Sequence, residues 1–446
     1  MRKNAFFVAS TVFIILLLAG MVCIVLMPDT ATCTFMEKLI SRASEKVIIQ
    51  RSLEIGVWLT ICIVAFGVTY LYARKGHVSG NLSIALFLII IFFPILIGWG
   101  TDFPLGDTEN RSMTEKPLLE SKKDTEYFSQ LDSYLADYVP FRKIWLRNNG
   151  LVKYGIFHSS MKILSMPGKN GWIYIGNSGK GEGEDPVADF EKTNLFTDDQ
   201  LKDLGMSLQG FNNYLESQGI DFRLMINVNK SHIYPEYLPD EIWEGEGKTR
   251  AEQLIEYLED NTDIEIVYTK DALLANKYKY LLYCPTDAHW NTVGGYIGFV
   301  ELMKSIDSSF KAASIESINP IYERTDWADV ANIINAAWFT DNQWTTTSYK
   351  PNIQTEWIDR TEDDSSLYIN NDKGNGEKIL VYHDSYMNQM MDYIGKEYNN
   401  SEFIEKEFNI TEDDIEEKAP DIVVFEILER MLNNYTDDLR YWQKYY

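Results

Sequence analysis

The chain has 446 residues and a formal net charge of −25, with 41 basic and 66 acidic side chains. This length allows one large domain together with a membrane region. Nucleic-acid binding is disfavoured, because phosphate contacts require clustered Lys and Arg. The acidic excess lies almost wholly after residue 102, and we interpret it as a solvated acidic surface.

Three long apolar runs precede residue 103 and predict membrane-spanning helices at about residues 5–27, 55–73 and 82–99. Runs of this length can cross the hydrocarbon core of a bilayer. A cleaved signal peptide is the alternative for the first run, but that run is too long for a signal core and further runs follow. Basic residues flank both sides equally, so the positive-inside rule does not orient the chain. We expect a membrane region at 1–102 and a large domain at 103–446.

The large domain alternates between strand and helix patterns. Predicted strands cover residues 172–175, 222–228, 264–268, 280–283, 378–382 and 422–425. Predicted helices cover two segments of 128–157 broken near Pro140, then 201–218, 254–258, 292–306 and 387–394. The helix at 292–306 begins at a cap provided by Asn291 or Thr292. Such alternation predicts an α/β domain with a mostly parallel sheet flanked by helices, although residues 312–377 show little periodicity.

Two polar clusters stand out in this pattern. One is Thr286-Asp287-Ala288-His289-Trp290-Asn291, and the other is His383-Asp384-Ser385-Tyr386. The second cluster lies between an apolar strand and a helical segment, which is how hydrolase folds expose a nucleophilic serine. It also falls at the carboxyl end of its strand, where α/β sheets bind ligands.

These clusters together support a Ser-His-Asp triad. Ser385 would attack an acyl carbonyl, His289 would accept its proton, and Asp287 would hold the imidazole tautomer. Residues two apart in an extended segment point to the same side, so one short loop can present both Asp287 and His289. The backbone N–H of Ser385 is the expected first oxyanion donor.

A second oxyanion donor is less clearly marked. The candidates for substrate or oxyanion contact are Asn229, Lys230, Tyr234, Trp290, His383 and Tyr386. Asn229 and Lys230 follow a predicted strand, and a structural role is the alternative for both. Trp290 could stack on a sugar ring, and packing in the core is at least as good an interpretation.

Other interpretations of the same residues remain open. An Asp-Ser pair in a turn often bonds only to nearby backbone. Asp287, His289, His383 and Asp384 could converge on a metal ion, but no HExxH-type spacing is present and we expect no metal. Cys284 is the only cysteine of the large domain. It could act as a nucleophile, although its place in an apolar run favours burial.

Several motifs, taken in order, resemble the AlgX and AlgJ type of protein that acts in alginate O-acetylation, and its DHHW relatives. Besides the two polar clusters, they are Glu109-Asn110-Arg111, Gly168-Lys169-Asn170-Gly171-Trp172-Ile173-Tyr174, Lys230-Ser231-His232-Ile233-Tyr234-Pro235-Glu236-Tyr237-Leu238-Pro239, Asp329-Val330-Ala331-Asn332, Pro420-Asp421-Ile422-Val423-Val424-Phe425-Glu426 and Glu429-Arg430. The resemblance covers roughly residues 103–446. It departs at Ala288, where DHHW relatives carry a second histidine, and after Arg430, where AlgX carries a carbohydrate-binding module.

This resemblance implies an SGNH-hydrolase-like fold and an extracytoplasmic domain anchored in the cell membrane. It implies a serine acyl-enzyme that passes acetyl to hydroxyls of a cell-envelope or exported polysaccharide, without a cofactor. The acetyl would come from a membrane-bound O-acyltransferase (MBOAT) partner. A carbohydrate esterase, or a non-catalytic glycan-binding adaptor of a polysaccharide-modification complex, is the alternative.

Overall fold

The computed structural model describes residues 114–117, 127–137, 146, 149–159, 165–176, 185–325, 328–337, 339–347, 354–359, 365–405, 410–433 and 436–446. The predicted spans at 5–27, 55–73 and 82–99 lie outside this set, as does the predicted domain start at 103. Among the described residues, no helix has both the length and the apolar character needed to cross a bilayer. The chain divides into two compact units, Met1–Gly155 and Ile156–Tyr446.

In the first unit the described residues include helix α1, Tyr127–Asp137. The side chain of Asp137 accepts hydrogen bonds from the backbone N–H of Thr114 at 3.0 Å and from its hydroxyl at 2.8 Å. A short π-helix follows at Leu151–Ile156. The sequence predicted two helices broken near Pro140, and the structure describes helix α1 before that residue and helical residues at 146 and 149–156 after it.

The second unit is built on a seven-stranded sheet, with two further two-stranded sheets, β1-β2 and β5-β6, among the described residues. The described strands of the unit are β1 Met166–Pro167, β2 Ile173–Tyr174, β3 Asp221–Asn227, β4 Ile266–Tyr268, β5 Pro320–Arg324, β6 Gln343–Thr347, β7 Gln354–Asp359, β8 Ser365–Asn370, β9 Lys378–His383, β10 Asn400–Glu405 and β11 Ile422–Leu428. The large sheet has the order β4-β3-β11-β9-β10-β8-β7, and its first five strands are parallel. Strands β7 and β8 pair antiparallel at one edge. The prediction of a mostly parallel sheet is confirmed.

Helices pack on both faces of this sheet, and further short helices lie around it. They are α2 Pro186–Glu191, α3 Asp198–Ser217, α4 Lys230–Ile233, α5 Arg250–Asn261, α6 Lys270–Asn276, α7 Thr292–Ile306, α8 Asp329–Ile333, α9 Met391–Glu397, α10 Glu412–Lys418 and α11 Thr436–Leu439. Short 3₁₀ turns lie at Lys169–Gly171, Pro235–Tyr237, Ile315–Ile318, Ser385–Gln389, Glu429–Met431 and Arg440–Tyr445. Successive residues of a strand point to opposite faces. Accordingly, Leu224 belongs to a core with α3 and α5, and Met225 to a core with α7 and α9.

The central strands are buried on both sides, which explains their continuous apolar sequence. Every residue of β11 is buried, as are all but the first of β3 and of β9. The sequence therefore located these three strands well. Helix α7 likewise has the predicted bounds, and the Asn291 side chain caps it by accepting the N–H groups of Val293 and Gly294.

The predicted strand at 280–283 is wrong. Tyr283 forms only an isolated antiparallel bridge with Trp290, because the chain turns back on itself between them. The backbone N–H of Asn291 closes the turn by donating to Leu282 at 2.8 Å. Leu282, Tyr283 and Cys284 are fully buried. Their apolar run therefore reflects burial of a loop, which periodicity cannot separate from a short buried strand.

Glycines in α7 let the helix lie against Trp290, the residue after His289. A Cβ added to Gly298 would meet the Trp290 ring at 2.6 Å, and one added to Gly294 would meet Trp290 Cβ at 2.7 Å. Trp290 is fully buried. Because the contact leaves no room for a methyl group, these glycines set the distance between α7 and the loop that carries His289.

We predict that Gly298→Ala destabilises the protein by about 1–3 kcal/mol, as overpacking in a core does. Alanine is the better helix former by about 1 kcal/mol, so a purely local effect would have the opposite sign. Urea unfolding of the two proteins gives the difference. Glu301→Ala on the outer side of α7 is the control and should stay within about 0.5 kcal/mol of the parent. A stabilised Gly298→Ala protein would contradict the packing described here.

Candidate active site

Ser385 lies directly beyond the carboxyl end of β9, on a turn that Asp384 holds in place. The Asp384 carboxylate accepts the backbone N–H of Tyr386 at 2.9 Å and that of Leu428, at the end of β11, at 2.7 Å. The Asp384 N–H donates to Glu426 at 3.1 Å. The turn is therefore fixed to the neighbouring strand, and Ser385 remains partly exposed on top of it.

Two hydrogen bonds join this turn to the Asp-x-His loop, far away in sequence. The Tyr386 hydroxyl donates to the Ala288 carbonyl at 2.6 Å, and Trp290 Nε1 donates to the Tyr386 carbonyl at 2.8 Å. Ala288, Trp290 and Tyr386 are all buried. Tyr386 and Trp290 thus have a bridging role between the two clusters.

The bridge brings three predicted side chains into a hydrogen-bonded chain. Ser385 Oγ lies 2.8 Å from His289 Nε2, and His289 Nδ1 lies 2.8 Å from Asp287 Oδ1. In the neutral ring, the carboxylate partner requires the tautomer in which Nδ1 donates, and Nε2 is then free to accept the serine proton. Asp287 Oδ1 also accepts the His289 backbone N–H at 2.9 Å. A hydroxyl, an imidazole and a carboxylate in this order can generate a serine nucleophile.

The protonation states of these hydrogen-bonded side chains are set by burial and by the carboxylates of Asp287 and Asp329. Burial alone would lower the pKa of His289, but the hydrogen bond and charge of Asp287, together with the charge of Asp329, raise it to about 9. Burial would raise the pKa of Asp287, and its hydrogen bonds to His289 hold that pKa well below its usual range instead. Asp287 is therefore an anion at every pH at which His289 titrates.

Asp329 was not singled out as a site residue in the sequence, and it lies beside both members of the pair. Its backbone N–H donates to Asp287 Oδ2 at 2.8 Å. Its own carboxylate accepts the Ala288 N–H at 2.8 Å and approaches His289 Nδ1 to 3.5 Å. Only a weak signal marked it, namely the Asp329-Val330-Ala331-Asn332 motif.

The ammonium of Lys230 lies beneath the Asp-x-His loop, with no contact to Ser385. It donates to the carbonyls of Ile173 at 2.5 Å, Asp287 at 2.6 Å, Pro285 at 3.1 Å and Cys284 at 3.2 Å. Burial lowers its pKa to about 8. This geometry assigns Lys230 to holding the loop, in place of the oxyanion contact for which it was a candidate.

Asn229 and Arg430 lie together near the carboxyl edge of the sheet. Arg430 Nη1 donates to Asn229 Oδ1 at 3.0 Å, and the amide nitrogen of Asn229 lies 3.4 Å from Asp189. The positive charge of Arg430 acts on His289 and opposes its protonation. Arg430 is partly exposed and was not among the predicted site residues. Asn229 stays a candidate for substrate contact.

The remaining candidates are buried. Tyr234 packs against Trp172 with a centroid distance of 4.7 Å, and Trp290 is fully enclosed. His383 donates through Nδ1 to the Asp384 carbonyl at 2.6 Å, and burial lowers its pKa to about 4. For Trp290 the structure favours the packing interpretation over stacking on a sugar.

The backbone N–H of Ser385 has no hydrogen-bond acceptor among the residues that the structure describes. It begins the 3₁₀ turn Ser385–Gln389, where helical N–H groups are left without intrahelical partners. This is the donor that an oxyanion on the serine ester would require.

Neither alternative chemistry gains support from the geometry. Cys284 is buried as predicted, and burial raises the pKa of its thiol to about 11, which suppresses the reactive thiolate. Asp287, His289 and Asp329 have ligand atoms within 4.8 Å of one another. A metal there would have to displace the Nδ1 hydrogen bond to Asp287, and within the described part of the chain His383 and Asp384 do not join that group.

Comparison with known proteins supplies a family for part of the chain. Residues 166–373 match the model of the SGNH hydrolase-like domain of the acetyltransferase AlgX. This range contains Asp287 and His289 and ends before Ser385. No curated protein sequence matches the chain significantly.

Several solved structures also match it. A DHHW family protein from Eubacterium siraeum is 13% identical with a TM-score of 0.43, covering 62% of this chain and 98% of its own. PatB1 from Bacillus cereus, solved with a sulfonyl adduct, is 13% identical with a TM-score of 0.44, covering 60% and 94%. The O-acetyltransferase domain of AlgJ from Pseudomonas putida is 13% identical with a TM-score of 0.39, covering 62% and 98%. The family match confirms the resemblance seen in the motifs: residues 166–373 are similar to the SGNH hydrolase-like domain of the acetyltransferase AlgX.

Proposed function

We propose that the protein is an O-acetyltransferase that carries acetyl on Ser385 and passes it to a hydroxyl of a cell-envelope or exported polysaccharide. The observation that carries the proposal is the hydrogen-bonded chain from Ser385 through His289 to Asp287, with both links at 2.8 Å. The AlgX-type domain match supports acetyl as the transferred group.

In the first half-reaction, Ser385 Oγ attacks the carbonyl of an acetyl donor as His289 Nε2 accepts its proton. The tetrahedral oxyanion is stabilised by the Ser385 N–H, and the positive end of the following turn adds to this. His289 then returns its proton to the leaving group, and the C–O bond to the donor breaks. Acetyl remains as an ester on Ser385.

In the second half-reaction, a sugar hydroxyl replaces the donor. His289 Nε2 takes the hydroxyl proton as the oxygen attacks the acetyl-serine carbonyl, and the proton then passes to Ser385 Oγ as the ester bond breaks. Asp287 stays ionised and stabilises the imidazolium in both halves. The enzyme returns to its starting state with acetyl on the acceptor.

The need for an acetyl supply is the reason for proposing a membrane location and an MBOAT partner. The three apolar runs before residue 103 would anchor the chain in the cell membrane, with the large domain outside the cytoplasm. Acetyl-CoA is absent there, so an MBOAT partner would bring acetyl across the membrane. The polysaccharide acceptor, the partner and this location are parts of the proposal that follow from the AlgX-type resemblance.

An esterase would use the same residues and the same acetyl-serine. It differs only in that water replaces the sugar hydroxyl in the second half-reaction. A glycan-binding adaptor would carry out neither half-reaction. The close approach of Ser385 to His289 favours the two catalytic functions over the adaptor, because binding alone does not require a base at hydrogen-bond distance from a serine.

We predict that Ser385→Ala lowers the hydrolysis of 4-nitrophenyl acetate by the full-length protein by about 10⁴- to 10⁶-fold. Asp287→Asn should cost about 10⁴-fold, since an amide stabilises the wrong imidazole tautomer. Steady-state rates of the detergent-solubilised protein give both values.

Two controls separate the alternatives. Cys284→Ala should keep activity within a few fold, and a metal chelator should leave the parent unchanged. Loss of activity in the cysteine variant would assign the nucleophile to Cys284. Inhibition by the chelator would indicate a metal, and full activity of Ser385→Ala would refute the acyl-serine.

A further prediction distinguishes transfer from hydrolysis. Incubation with an activated acetyl donor should give an acetyl adduct on the Ser385 peptide, which candidate oligosaccharides remove faster than water does. The reason is that orienting the acceptor hydroxyl can contribute about 7–11 kcal/mol to a transferase. Mass spectrometry follows both the adduct and the acetylated sugar. An adduct lost equally fast without sugar would identify an esterase, and no adduct together with intact sugar binding would support the adaptor.

A further inference from the structure

The imidazole of His289 faces two carboxylates, and the proposed mechanism uses only one of them. Nδ1 lies 2.8 Å from Asp287 Oδ1 and 3.5 Å from Asp329 Oδ2. The second distance is too long for a good hydrogen bond. It is still short for two opposite charges, whose attraction falls only as the inverse of distance.

Asp329 is held in this position by backbone groups of the loop that it faces and of its own helix. Its Oδ1 accepts the N–H of Ala288 at 2.8 Å and of Val330 at 2.6 Å. Its own N–H donates to Asp287 Oδ2 at 2.8 Å. Oδ2 of Asp329 has no hydrogen-bond donor among the described residues, and His289 Nδ1 lies 3.5 Å from it. The carboxylate is thus aimed at the imidazole by bonds to the segment between Asp287 and His289.

We propose that Asp329 is a second positioning carboxylate, which acts with Asp287 to hold the His289 ring and to stabilise its protonated form. The inference deepens the proposed function, since it assigns a role in the same site. In each half-reaction His289 becomes an imidazolium, and a negative charge within about 4–6 Å favours that form. Asp287 orients the His289 ring through its hydrogen bond. Asp329 adds a second negative charge near the imidazolium without competing for the Nδ1 proton.

Other groups around the ring are accounted for. Arg430 opposes protonation of His289, and Asp384 on the serine turn interacts electrostatically with it. Lys230 lies below the loop and interacts with Asp287 and Asp329. The Tyr386 ring stands 5.2 Å from the imidazole and Ser385 is neutral, so neither adds charge. Burial, with the charge of Asp287, raises the pKa of Asp329 to about 6. Asp329 is therefore charged above about pH 6 and neutral below it, and its effect on His289 should be present at neutral pH.

The test is a pH titration of the His289 ring nitrogens in the full-length protein, selectively labelled with [¹⁵N]histidine. His289→Gln assigns the signal among the five histidines. The parent should titrate near pH 9. Asp329→Asn should lower that midpoint by about one unit, because a single nearby charge typically shifts a pKa by one unit or more. Asp341→Asn is the matched control: Asp341 is exposed, belongs to the same segment and pairs only with Gln343 among the described residues.

A midpoint in Asp329→Asn equal to that of the parent would overturn the proposal. Should Asp329→Asn fail to fold, Asp329→Ser takes its place and should lower the midpoint by a similar amount, because it removes the same charge. An unchanged midpoint in that variant would contradict the inference. The titration needs no acetyl donor, so a shifted midpoint in a protein that does not transfer acetyl would count against the proposed function alone.

Discussion

The site depends on the contact between two loops whose hydrogen-bonded residues are 96 to 98 positions apart in the chain. The Tyr386 hydroxyl donates a hydrogen bond to the Ala288 carbonyl, and the Trp290 indole N–H donates one to the Tyr386 carbonyl. Both rings are fully buried, so each bond is made where an unpaired donor would be costly. Because Ser385 and His289 are the sequence neighbours of these two residues, their separation is fixed by the same bonds.

Buried polar groups surround this contact on the side facing the sheet. Lys230 donates hydrogen bonds to four carbonyls under the Asp-x-His loop, and the Asp384 carboxylate accepts hydrogen bonds from two N–H groups at the serine turn. Each such group loses its hydration on folding and is stable only when its partners are in place. A loop tied in this way has few alternative conformations, which is what a site that aligns a hydroxyl with a base requires.

Much of this arrangement was readable in the sequence. Strands β3, β9 and β11 have continuous apolar residues, and the serine follows one of them, so the fold and the place of Ser385 could be predicted. Strands β7 and β8 at the sheet edge were missed, because residues 312–377 lack the apolar runs that mark the central strands. Asp329 and Arg430 were missed as site residues since their proximity to His289 comes from long-range packing that no local pattern encodes. Lys230 was a candidate for substrate or oxyanion contact, with a structural role left open, because sequence does not reveal which side of a loop a long side chain reaches.

The central claim is that Ser385, His289 and Asp287 act as one unit. The most direct measurement compares the residual rate of 4-nitrophenyl acetate hydrolysis in Ser385→Ala with that in the double variant Ser385→Ala/Asp287→Asn. Removing a second member of a unit whose nucleophile is already gone should cost almost nothing, as catalytic residues that work together are strongly non-additive. We expect the two residual rates to agree within a few fold. If Asp287→Asn lowers the rate of Ser385→Ala by the same factor as it lowers the rate of the parent, the two residues act independently, and the account is contradicted.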